Sequence, residues 1–271
     1  MKIINKIRTF VFFFKTRKVV AQYKLFYGDE WLELSVNSIA NYMYKIIFVI
    51  SDIPWGKKNT YKGDHLEPII EKLKQQYGEK LVVYRGSWDD QEKQVNAGLD
   101  YIKQNIPEAT HCLYIDGDEI YTKTQIKKLI ALTVKIKYFN KAIRISSHTY
   151  FKSIYYRIYP ERSPKLLALF PIREYIRFYN ARNVTAAIAE VQIYFHHFAY
   201  VRRNDERMKA KIETHKASEL IINNWYENVW LKWTPETINF HPVNPDLFHS
   251  VITVKPVDLP ESAVEVYNKW C

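Results

Sequence analysis

Residues 111–119 read His-Cys-Leu-Tyr-Ile-Asp-Gly-Asp-Glu, a short apolar strand that runs without a spacer into an acidic turn. Five residues of this kind, bounded by turn formers, fit a buried strand. In open α/β sheets, ligands bind beyond the carboxyl ends of the strands, so Asp116 and Asp118 stand where a site is expected. Two carboxylates separated by one glycine can both point toward a single hard cation, Mn²⁺ or Mg²⁺. Such a cation bridges a diphosphate and neutralises its departing charge. Aspartates at this spacing also serve simply as turn formers.

Outward from this strand, short apolar runs alternate with helical periodicity, the pattern of βαβ units around a parallel sheet. The runs Val19–Phe26, Ile46–Ile50 and Leu81–Tyr84 read as three further strands. Between them, a helix capped by Asp29 carries Leu32, Val36, Ile39 and Met43 on one face. A second, His65–Tyr77, carries Leu66, Ile69, Ile70, Leu73 and Tyr77. A turn-rich loop, Pro54–Gly63, precedes that second helix. Asp89–Asn105 turns Val95, Leu99 and Ile102 to one side and is stopped before Pro107. Thr124–Lys137 does the same with Ile126, Leu129, Ile130 and Val134. After Ala142, Tyr, Phe and Arg alternate with β-favouring residues, which implies longer, twisted, partly antiparallel strands. Beyond Trp233 the chain carries Pro235, Pro242, Pro245, Pro256 and Pro260, as extended chain lying over a domain does.

The chain has 271 residues, 47% hydrophobic and 25% charged, which excludes disordered and fibrous classes and lets it fold without a covalent staple. Two cysteines, Cys112 and Cys271, cannot form a disulfide framework or a zinc site and fit a reducing, cytoplasmic setting. Forty Lys and Arg against 29 Asp and Glu give a net charge of +11, a bias toward polyanions or anionic membrane surfaces. The opening stretch Met1–Lys18 surrounds Phe10–Phe14 with six basic residues. It is too short to span a bilayer and has no signal-cleavage pattern; it reads as a solvated lead-in or edge element, with peripheral contact with a membrane as the alternative. The expected organisation is a basic lead-in over residues 1–18, then one domain over 19–271. Its parts are a nucleotide-binding half at 19–140, an acceptor half at 141–233 and a C-terminal tail at 234–271.

Four segments in order carry a family resemblance. They are Tyr27-Gly-Asp-Glu-Trp-Leu-Glu-Leu-Ser-Val-Asn-Ser-Ile39, Lys45-Ile-Ile-Phe-Val-Ile-Ser-Asp52, Gln91-Glu-Lys-Gln-Val-Asn-Ala-Gly-Leu99 and Leu113-Tyr-Ile-Asp-Gly-Asp-Glu119. Together they resemble the first loop and helix, the base-recognition strand, the donor-side helix and the metal motif of family-2-like glycosyltransferases. A fainter echo, His196-His-Phe-Ala-Tyr-Val-Arg202, resembles a late segment of the same enzymes. The first loop departs from the usual Asn-Glu, and Ser51-Asp52 is followed by Ile-Pro-Trp instead of the usual Ser-x-Asp-x-Thr. The resemblance implies a GT-A, Rossmann-like fold: a mixed, mostly parallel sheet flanked by helices, a β-rich acceptor side and an extended tail.

The implied reaction moves a sugar from a nucleoside diphosphate sugar, a UDP-sugar foremost, to an acceptor hydroxyl, with inversion and a divalent metal. Carried over position by position, Asp118 meets the metal, and Asp116 meets the ribose or the metal through water. Apart from the resemblance, His196 and His197 offer imidazoles for a third metal ligand, against the alternative of core or surface histidines in a β-rich segment. Tyr27, Glu30, Ser51, Asp52, Arg85, Lys93, Gln94 and Asn96 face the donor, while Glu119 either caps a helix or meets the donor. A base must take the acceptor proton. Glu190 is the first choice because it lies in the apolar stretch Val184–Ile193, where burial raises a carboxyl pKa; Asp205 is the second. Basic and aromatic residues interleave after residue 144, and Tyr156, Arg157, Arg202 and Arg203 are the acceptor-side candidates. Such a surface suits an anionic acceptor, a surface or lipid-linked glycan or hydroxymethylated DNA. The alternatives are a nucleotidyltransferase and a non-catalytic nucleic-acid- or lipid-surface-binding protein.

Overall fold

The computed structural model describes residues 17–26, 28–55, 66–214 and 218–270. The apolar lead-in, Tyr27, most of the Pro54–Gly63 loop and His65 lie outside them. Strand β1 (Val19–Leu25) is flanked by β2 (Lys45–Ser51) and β4 (His111–Ile115), both parallel to it, and β3 (Leu81–Gly86) pairs parallel with β2. Strand β1 explains why these runs are mostly apolar instead of alternating. Val19, Ala21, Tyr23 and Leu25 enter one buried cluster and Val20 enters another, because helices cover both faces of a parallel sheet.

Helices α1 (Asp29–Ile39), α2 (Leu66–Tyr77) and α4 (Lys123–Ile130) pack on the first face through Leu32, Val36, Ile70, Leu73, Ile126 and Leu129. Helix α3 (Gln91–Asn105) packs on the other through Val95, Leu99 and Ile102. Gly28, at φ 119°, takes the turn into α1, so the cap position is a left-handed glycine with no side-chain cap bond. Helix α4 is shorter than its apolar pattern predicts. It gives way to 3₁₀ turns at Ala131–Val134 and Ile136–Tyr138, and Val134 is 54% exposed instead of buried. The β-branched Thr133 donates its hydroxyl to the Ile130 carbonyl, which diverts the chain from α-helical pairing.

Helix α3 approaches the sheet closely because residue 98 has no side chain. A Cβ there would lie 2.5 Å from Val49 Cγ2 and 2.6 Å from Gln22 Nε2. Gly98→Ala is therefore expected to lower unfolding free energy by about 1–3 kcal/mol in urea titrations. A loss below about 0.5 kcal/mol would mean that α3 slides freely on the sheet.

The second half turns antiparallel. Strand β8 (Leu166–Pro171) joins β4, then β6 (Lys141–Phe151), β7 (Ser153–Glu161) and β12 (Phe248–Thr253) extend the sheet. The long β11 (Ala187–Tyr200) runs parallel to β6 and pairs with the short β5 (Glu119–Ile120). A small pair, β9 (Phe178–Asn180) and β10 (Asn183–Val184), stands apart. The result is a mixed ten-stranded sheet with a parallel, helix-flanked first half and a β-rich second half, the Rossmann-like GT-A arrangement that the sequence predicts. The chain after Trp233 carries β12 and a short α6 (Glu261–Asn268) within otherwise irregular stretches. Among the described residues, no helix is long and apolar enough to cross a membrane.

Candidate active site

The sheet order β3-β2-β1-β4 reverses direction at β1, and such a switch point opens a crevice between the carboxyl ends of the two central strands. A cleft of about 330 Å³ lies there. Lys24 and Gly28 enter it from the end of β1, Asp116, Gly117 and Asp118 from the end of β4, and Trp55 from the chain after β2. The opposite wall comes from His197 and Ala199 on β11, from Met208, Lys211 and Ile212 on helix α5 (Asp205–Thr214), and from His241–Val243.

The acidic turn is pinned twice. The Glu119 N–H donates to the Asp116 carbonyl, closing the turn, and the Phe198 N–H donates to the Asp118 carbonyl, fixing it against β11. Glu119 therefore neither caps a helix nor lines the cleft. It is a buried strand residue whose carboxylate pairs with Arg182. Burial, only partly opposed by Arg182 and reinforced by Asp116, pushes its pKa up to about 8.

Both aspartates are surrounded by cations. Asp116 Oδ2 accepts from Arg182 at 2.5 Å, while its Oδ1 lies 3.8 Å from Lys24 Nζ and has no hydrogen bond. Asp118 Oδ2 accepts from Arg202 at 2.7 Å and lies 3.5 Å from Lys211 Nζ. Its Oδ1 is 3.6 Å from His197 Nε2. Burial opposes ionisation of both carboxyls, but Arg182 and Lys24 around one, and Lys211 and Arg202 around the other, hold them below the usual carboxylate range. Burial and the nearby Arg202 pull Lys211 down to about 8 against the attraction of Asp118. Burial likewise lowers His197 to about 4, so its ring is neutral near pH 7.

A divalent cation needs free carboxylate lone pairs at about 2.0–2.6 Å. Here three of the four oxygens of Asp116 and Asp118 face a cationic side chain and the fourth faces an imidazole. Among the described residues there is no group of three His, Cys, Asp or Glu able to hold a metal. In this arrangement the donor set does not fit Mn²⁺ or Mg²⁺.

The other expected donor contacts divide sharply. Ser51 is buried at the end of β2, where its hydroxyl accepts from the Trp88 N–H and donates to the Ile53 carbonyl, while Asp52 is exposed and offers its N–H to Gly86. Arg85 is held on the surface by Glu67 of α2. Lys93 points outward to Asp89. Gln94 is fully buried and braces the strand ends, donating to the Leu25 and Val49 carbonyls and accepting from Trp55 Nε1 at 2.7 Å. Asn96 exchanges two hydrogen bonds with the Phe178 backbone. The residue of α3 that does reach the cleft is Gln91, which accepts from Lys24. Glu30 is buried behind Asp118, bonded to Arg202 and to the Arg203 N–H.

Neither base candidate lines the cleft. Glu190 is not buried: its side chain is 53% exposed and paired with Lys165. It lies seven residues before His197 on β11, roughly 20 Å along the strand. Asp205 ties α5 to neighbouring segments by accepting from Lys152 and Trp230. On the acceptor side, Arg202 is 3% exposed and spent on the Glu30–Asp118 bridge. Arg203 lies over the Trp270 ring, Arg157 contacts His148, and Tyr156 packs on Trp233. Among the cleft residues that the sequence did not single out are Trp55, Gln91, Lys24, Arg182, Lys211 and His241. Lys24 alone carried a local signal, as a lysine inside the apolar run of β1.

No family model and no curated protein matches the chain. Solved structures are similar to it. One is 4-diphosphocytidyl-2C-methyl-D-erythritol synthase from Anaerococcus prevotii, with 19% identity, a TM-score of 0.35, and coverage of 63% of this chain and 68% of that one. Another is residues 1–349 of TarS from S. aureus, with 14% identity, a TM-score of 0.43, and coverage of 72% of this chain and 63% of that one.

Proposed function

We propose that the protein is a glycosyltransferase that takes a nucleoside diphosphate sugar in the β1/β4 cleft and passes the sugar to an acceptor hydroxyl. The observation that carries this reading is the pairing, in one switch-point cleft, of buried cations with a flat aromatic ring. Lys24, Arg182 and Lys211 suit a diphosphate, and Trp55 beside them suits a base. The diphosphate leaves with developing negative charge, which fixed cations in a sheltered site stabilise without reorganising. The acceptor's proton goes to a group within reach of the cleft, where His197 presents an imidazole that burial holds neutral, near 4. The apolar wall of Met208, Ile212 and Ile221 excludes water from the transferring sugar. The net charge of +11 favours an anionic acceptor, glycan or DNA, whose binding weakens as salt rises.

The test is release of nucleoside diphosphate from UDP-, GDP-, CDP- and dTDP-sugars, with glycan or hydroxymethylated DNA present in turn. One donor is expected to turn over, and Trp55→Ala is expected to lower kcat/KM for it about tenfold. Pyrophosphate release from a nucleoside triphosphate, or no release from any donor by folded protein, would sink the reading.

A further inference from the structure

The acidic motif of this cleft is spent on cations of the protein itself. Lys24 reaches the cleft from β1, Arg182 from the turn between β9 and β10, and Lys211 from α5. Their side chains are only 8%, 20% and 17% exposed. Asp116 sits between Lys24 and Arg182, and Asp118 between Lys211 and Arg202, so each carboxylate holds apart two cations that would otherwise repel. Asp116 Oδ1 lacks a hydrogen bond, yet the group facing it is the Lys24 ammonium, itself held by Gln91. An added divalent cation would meet the like charge of four basic side chains. Lys24 has three donor hydrogens and gives one to Gln91, and Arg182 has five and binds Asp116, Glu119 and the Leu167 carbonyl, so both carry more donors than these bonds use.

We propose that Lys24, Arg182 and Lys211 hold the donor's diphosphate in place of a divalent metal, and that Asp116 and Asp118 act as positioning residues for those cations. This rests on the nucleoside diphosphate reading of the cleft. Three cations from three separate elements converge only in the folded chain, and they supply the countercharge that an ion would bring. Binding of the diphosphate is then independent of metal and sensitive to ionic strength.

The test is calorimetric titration of the intact protein with UDP, GDP and CDP, in EDTA and in Mn²⁺, with thermal melts to confirm that each variant is folded. At least one diphosphate is expected to bind with Kd values that agree within about threefold in the two buffers. Lys211→Met and, independently, Lys24→Met are expected to weaken it about tenfold in EDTA, whereas Lys232→Met on the distant surface leaves it unchanged. Tightening by Mn²⁺ of about tenfold or more, or lysine variants that bind like the parent, would overturn the inference and leave the donor reading intact. Absence of binding by every diphosphate in both buffers would overturn the donor reading and the inference together.

Discussion

Arg202→Met is expected to cost roughly 3–5 kcal/mol of unfolding free energy, because it strips the counter-charge from two buried carboxylates at once. The guanidinium is 3% exposed and bonds Glu30 Oε2 at 3.2 Å, Asp118 Oδ2 at 2.7 Å and the Ala199 carbonyl at 3.1 Å. Glu30 is as deeply buried as its partner. Without Arg202 it keeps a hydrogen bond from the Arg203 N–H but, among the described residues, no ion pair, while Asp118 keeps Lys211 and His197. The larger part of the loss therefore belongs to Glu30. The double variant Glu30→Gln/Arg202→Met is expected to recover part of it, because it removes the uncompensated charge along with its partner. Arg85→Met, which breaks the exposed pair with Glu67, is expected to cost less than about 1 kcal/mol. Urea titrations of the three variants decide the matter. A loss for Arg202→Met as small as that for Arg85→Met would mean that the bridge is effectively solvated.

The same bridge shows what a sequence can and cannot reveal. The strands β1 to β4 and their helices were legible because each element's own periodicity states which faces are buried. Val19–Leu25 is apolar but for Gln22 and Lys24, and His111–Ile115 but for His111, since both faces of their sheet are covered. The acidic turn was legible because it directly follows such a strand. Its partners were not, because Arg182 and Arg202 lie 66 and 84 residues away from the aspartates they bind. No local pattern reports which of many arginines folds inward. Gln94 and Asn96 lie in a segment that resembles a donor-side helix, yet their amides are spent on the backbones of Leu25, Val49 and Phe178, a use only the tertiary fold displays. Glu190 marks the opposite failure. An apolar stretch around a carboxylate implies burial only if that face of the strand is covered, and β11 leaves it to solvent beside Lys165.

Lowering the pH from 7 to 4.5 is expected to destabilise the protein steeply, chiefly through its buried histidines. Burial holds His111 and His196 near 3, and His148, His197 and His241 near 4. His196 Nδ1 shares a 2.8 Å hydrogen bond with the Tyr150 hydroxyl, a contact that also fixes its ring. Unfolded, each histidine titrates near pH 6.5. Between that value and the folded pKa the unfolded chain binds more protons, so stability is complete above about pH 6.5 and falls as pH falls. His111 and His196, the most deeply buried of these, each account for about 2–3 kcal/mol by pH 4.5. Glu119 acts in the opposite sense. Its pKa is raised to about 8, so its contribution is present at low pH and lost as pH rises toward 8. Glu161, also raised by burial, acts in the same sense, and two carboxyls set against five histidines reduce the slope without reversing it. Asp116 and Asp118, held low by their cations, add their losses only below about pH 4, where unfolded carboxylates take up protons. Urea midpoints measured from pH 7 to 4.5 are therefore expected to fall continuously, and His196→Gln to flatten the slope by close to one proton. A midpoint that stays constant from pH 7 to 5 would mean that these imidazoles are protonated with little penalty, and that water reaches the interior beside Tyr150 and the cleft wall at His197.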